Sequence, residues 1–72
     1  MKILNGDQRK ELMELQNKVD RALLSIFKII QQDKSLGDKD GKQYNEKGLQ
    51  VSGKYLRACN KISEGFEVLN NL

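Results

Sequence analysis

Few residues in this chain are placed to do chemistry, and each fails a specific requirement. Asp38-Lys39-Asp40-Gly41 invites a calcium-loop reading. In an EF-hand loop glycine holds the sixth position and a bidentate glutamate the twelfth. Counting from Gly41 makes Leu36 the first position and Lys47 the twelfth. Both end ligands are wrong, so the segment reads as a solvated turn. Cys59 is the one cysteine, and histidine is absent. A reactive thiol wants a basic activator or a helix N-terminus. In the middle of an apolar repeat, Cys59 instead reads as a small buried hydrophobe. An intrachain disulfide is excluded, and any metal site would be all oxygen. Nucleophilic catalysis needs a base and an orienting partner, yet Asp20, Asp33, Glu46 and Glu64 are scattered and no glycine-rich loop follows a strand. The expectation is a non-enzyme with no cofactor and no metal.

Charge offers one further chemistry. The net charge is +3 and the isoelectric point about 9.1. Lys47, Lys54, Arg57 and Lys61 recur on one face of the second helical segment. A basic stripe is the electrostatic footprint of phosphate binding. Ten acidic residues are interleaved through the chain and no aromatic accompanies the stripe. A solvated face is therefore expected, with a dimeric hairpin binding RNA or DNA as the alternative.

The elements that carry these residues are organised around Ala22-Leu23-Leu24-Ser25-Ile26-Phe27-Lys28-Ile29-Ile30. This run is too short to span a bilayer, which needs ~20 apolar residues. It is also too apolar for a helix with one stripe of roughly 100°. Ala22, Ile26 and Ile29 make one stripe; Leu23, Phe27 and Ile30 make a second beside it. A chain of 72 residues, 38% hydrophobic and 6% aromatic, is near the size where a single core is marginal. Without a disulfide or a metal, association is the remaining source of stability.

From Leu12 the apolar residues run Leu12, Leu15, Val19, Ala22, Ile26, Ile29, alternating threes and fours as in a heptad seam. The spacing predicts helix 1 over about 7–34, capped by Asn5 or Asp7 and ended by Gly37 in a left-handed turn. A loop over about 35–41 follows. Helix 2 is expected over about 42–70, with the seam Gly48, Ser52, Tyr55, Cys59, Ile62, Phe66, Leu69. The fold class is all-α, an antiparallel two-helix hairpin forming one domain over 1–72. Folding about the loop sets Ile26 and Ile29 by Gly48 and Ser52, Val19 by Tyr55, Leu15 by Cys59 and Leu12 by Ile62. Gly48, Gly53 and Gly65 each cost helix 2 about 1 kcal/mol relative to alanine.

With that seam turned inward, the partner surface falls on Leu23, Phe27 and Ile30 of helix 1 and on Leu49 and Leu56 of helix 2. Met13, Phe27 and Phe66 read as packing residues or partner contacts, not a cofactor box. No signal-peptide pattern follows Met1, and the free cysteine suits a reducing compartment, so a cytoplasmic location without membrane insertion is expected.

Ala22-Leu23 with apolar positions to Ile30, then Gly37-Asp38, then Lys42-Gln43-Tyr44, and the later rhythm Leu49, Leu56, Ile62, Leu69, resemble the small co-chaperones of the type III secretion needle subunit. The likeness covers most of 12–69 and is one of length, rhythm and loop. It implies a cytoplasmic, non-enzymatic hairpin that stabilises a chaperone built of tetratricopeptide-like repeats. That chaperone in turn keeps the needle subunit soluble before export. The loop is somewhat longer than that pattern, and the three glycines of helix 2 depart from it. The needle subunit is itself a short helical hairpin, but its loop usually carries prolines and this chain has none. Self-association into a dimeric regulator is the other alternative.

Overall fold

The computed structural model describes residues 3–38 and 43–72. Two helices, α1 (Gly6–Gln32) and α2 (Glu46–Asn70), pack antiparallel as a hairpin, with a 3₁₀ turn over Lys34–Leu36 between them. The molecule measures 54 × 16 × 12 Å, the proportions of two helices side by side. Residues 39–42, which hold most of the Asp38–Gly41 turn, lie outside the described residues.

Asparagine starts both helices. The Asn5 side chain accepts from the Gln8 amide at 2.8 Å while the Gln8 side chain accepts from the Asn5 amide at 3.0 Å. This is a capping box. Asp7 lies inside the first turn, where its charge suits the helix dipole. At α2 the Asn45 side chain accepts from the Gly48 amide at 2.8 Å.

α1 ends earlier and α2 begins later than the sequence suggests. α1 stops at Gln32 because Asp33 turns extended, with φ −80° and ψ 105°. Its carboxylate then accepts from the Ser35 amide at 2.9 Å and the Ser35 hydroxyl at 2.7 Å. Gly37 is extended rather than left-handed, at φ −98° and ψ 163°, so it does not terminate the helix. It pairs with Tyr44 in an isolated antiparallel bridge. The Asn45 amide group ties this bend down, donating to the Ser35 carbonyl at 2.8 Å and the Gly37 carbonyl at 3.0 Å. α2 therefore begins at Glu46 rather than near Lys42.

Among the described residues three apolar side chains are buried: Ile30, Leu36 and Phe66. Leu36 belongs to the 3₁₀ turn and plugs the loop end of the hairpin. Gly48 sits against that plug. A Cβ there would lie 2.1 Å from the Leu36 carbonyl oxygen and 2.9 Å from the Tyr44 side chain, so only glycine permits the approach.

The inward face of α1 is the expected one only at Leu12 and Val19. Arg9, Leu12, Gln16, Val19, Leu23 and Phe27 are half-buried and Ile30 is buried, whereas Leu15, Ala22, Ile26 and Ile29 are exposed. The reason is geometric. From Leu12 to Ile29 an α-helix turns ~1,700°, about 100° short of five whole turns, while Leu12 to Ile30 closes on ~1,800°. A 3.5-residue seam stays on one face only if the helices supercoil. On α2 the expected seam does close, since Gly48 to Phe66 is also ~1,800°. Gly48 and Phe66 are buried there, with Ser52, Tyr55, Cys59 and Ile62 half-buried between them. Leu69, a further turn on, is 41% exposed.

Candidate functional site

The seam is fixed by the groups that cross it. Tyr55 on α2 donates its hydroxyl to the Leu23 carbonyl at 2.8 Å. Its ring stacks on Phe27, centroids 5.8 Å apart and planes inclined by 29°. Burial, and then the neighbouring Cys59 thiol, push the Tyr55 phenol above the usual tyrosine range. At the open end Arg9 Nη1 donates to the Asn70 carbonyl at 3.2 Å, and the Ile3 amide donates to the Leu72 carbonyl. The register is thus displaced by about one turn from the expected one: Tyr55 meets Leu23 and Phe27, not Val19.

Three of the five expected partner residues lie on the inner face of the hairpin. Leu23, Phe27 and Ile30 face α2, and Ile30 retains 8% of its surface. The aromatic ring and hydroxyl of Tyr55 select this stripe over its neighbour, because Phe27 brings more apolar area and a stacking partner than Ala22 or Ile26. Leu49 and Leu56 are outward, 63% and 57% exposed.

What the hairpin leaves uncovered falls on two sides. Placed by helical phase at about 100° per residue, Leu15, Ala22, Ile26 and Ile29 lie on one flank of the α1–α2 plane, and Leu24, Leu49 and Leu56 lie on the other. All are exposed. The first side continues at the open end into a shallow cavity of about 370 Å³ lined by Leu4, Leu12, Leu15, Leu69 and Leu72 together with the polar Gln8 and Glu11. Counting whole turns from Leu12 would have found this side in the sequence; the cavity depends on where the two chain ends meet.

The polar groups are arranged for surface contact. Lys54, Arg57 and Lys61 border an open depression with Ala58. No three His, Cys, Asp or Glu side chains gather where a metal ion could be held, among the described residues. No helix among them is long and apolar enough to cross a membrane. Cys59 is half-buried on the inner face with a free thiol. Comparison with protein-family models, with curated proteins and with solved structures finds no match for this chain.

Proposed function

We propose that this hairpin is a non-enzymatic interaction subunit, held by a helical protein partner that covers the apolar side chains it cannot cover itself. One observation carries the reading. The chain buries Ile30, Leu36 and Phe66 but leaves Leu15, Leu24, Ile26, Ile29, Leu49 and Leu56 substantially in water. Large apolar residues spread along both sides of so small a fold suit a protein or membrane partner more than free solution. Each large side chain removed from water contributes ~1.5–3 kcal/mol, and a few such anchors carry most of the affinity of an interface.

The specific form we put forward is the one the sequence resemblance suggests. In it the chain is a cytoplasmic co-chaperone that stabilises a tetratricopeptide-like chaperone and helps keep a type III secretion needle subunit soluble before export. The contact residues in this form are Leu15, Ala22, Ile26 and Ile29, or Leu49 and Leu56 with Leu24, rather than the Leu23–Phe27–Ile30 stripe.

Sedimentation of the chain alone and with such a chaperone tests the proposal. A marginal or self-associating chain that becomes a defined, more heat-stable complex supports it. A monodisperse monomer with a sharp, high melting transition, indifferent to the chaperone, overturns it.

A further inference from the structure

The two sides of the hairpin differ in charge pattern. On α1, Leu15, Ala22 and Ile29 stand one above another at seven-residue intervals, with Ile26 beside them, all exposed. On α2, Lys47, Lys54 and Lys61 stand at the same interval and are also exposed. The helices run antiparallel, so the apolar ladder descends past the lysine ladder in step. Helical phase puts both on the same side of the hairpin, and the cavity at the open end, which includes Leu15, opens on that side as well. Lys47 has Asp33 in its field; Lys54 and Lys61 make no ion pair among the described residues.

Resting on the reading of this chain as an interaction subunit, we infer that this side receives a single amphipathic α-helix with carboxylates at seven-residue spacing. Its apolar seam lies on Leu15, Ala22, Ile26 and Ile29 and anchors one side chain in the cavity. Its acidic rail meets Lys47, Lys54 and Lys61. Charges that flank an apolar seam with a period of seven are what choose a partner in helix–helix association. Each ladder runs two heptads, ~21 Å at 1.5 Å per residue, with the cavity beyond Leu15 extending the face within the 54 Å length of the molecule. A second copy turned face to face offers the lysines either other lysines or the apolar ladder, never a ladder of carboxylates. A flat anionic membrane would engage the lysines but leave the cavity unfilled, and the two phenylalanines that would enter it are turned inward. A phosphate backbone makes no use of the apolar ladder.

The test uses the full chain and two labelled three-heptad helical peptides. One carries Leu and Ile on its seam flanked by Glu; the other has Lys in place of every Glu. The Glu peptide is expected to bind at least tenfold more tightly, with the gap narrowing as salt rises. In Lys47→Glu/Lys54→Glu/Lys61→Glu, whose helicity is checked by circular dichroism, the preference reverses. Equal binding of both peptides, abolished by Ile26→Asp, removes the acidic-rail inference while leaving the interaction-subunit reading intact. Binding of neither peptide by a chain that sediments as a stable monomer overturns both. Tighter binding to anionic vesicles or to an RNA oligonucleotide than to the Glu peptide assigns the lysines to another class of partner and overturns the inference.

Discussion

At the scale of single residues, the three glycines of α2 separate into two kinds. Around Gly53 and Gly65 there is open space, with nothing within 4 Å of an added Cβ. Gly53→Ala and Gly65→Ala should each stabilise the hairpin by about 1 kcal/mol, the helix-propensity difference, seen as a rise in melting temperature. Gly48→Ala should do the opposite. Its Cβ meets the Leu36 carbonyl, backbone that must move, at a cost of about 1–3 kcal/mol. Asp33 gives a pH signature. The hydrogen bonds from the Ser35 hydroxyl and amide, with the field of Lys47, hold its carboxyl below the usual carboxylate range. A depressed folded pKa contributes stability that is present above the unfolded value of about 3.9 and lost as pH falls through the folded one. The melting temperature of the native chain should therefore drop below about pH 4 more steeply than that of Asp33→Asn. Tyr55 has the opposite sign. Its raised folded pKa contributes stability present below about pH 10 and lost as pH rises further. Tyr55→Phe should remove that alkaline loss, together with the hydrogen bond to Leu23.

At the scale of the helices, α1 has an inner and an outer stripe that differ by one residue in phase, so paired substitutions tell them apart. Phe27→Ala removes a half-buried ring stacked on Tyr55 and should destabilise the isolated chain by about 1–2 kcal/mol. Ile29→Ala, at a site 66% exposed, should change the stability of the isolated chain by less than about 0.5 kcal/mol, yet weaken any complex that covers this flank. Thermal unfolding of both variants, alone and with partner, is the measurement. The reverse result, with Ile29→Ala unfolding the hairpin and Phe27→Ala sparing it, would mean that α1 is rotated by about 100° from the arrangement described.

At the scale of the whole molecule, two helices have one mutual interface and cannot cover more than one stripe each. The exposed residues at Leu15, Ile26 and Ile29 and at Leu24, Leu49 and Leu56 are the remainder of that geometry. If further copies of the chain cover them, the melting temperature of the chain must depend on its concentration, since binding to the folded form stabilises by mass action. Scans across a hundredfold range of protein concentration should show a rising midpoint. A midpoint independent of concentration, together with a high value, would count against association of the chain with itself.

The sequence alone determined the two helices, their antiparallel pairing and the inner face of α2. Periodicity with glycine and asparagine punctuation is local, and the Gly48-to-Phe66 seam closes on whole turns. It also marked Leu49 and Leu56 as outward-facing residues. Which of two adjacent apolar stripes on α1 turns inward was a tertiary decision. Both are apolar, and the choice lies in contacts across the chain, where Tyr55 stacks on Phe27 and reaches the Leu23 carbonyl. The loop was equally beyond local pattern. Leu36 reads as part of a terminator, but it becomes core because Asn45, nine residues on along the chain, binds the Ser35 and Gly37 carbonyls and folds the bend onto Gly48.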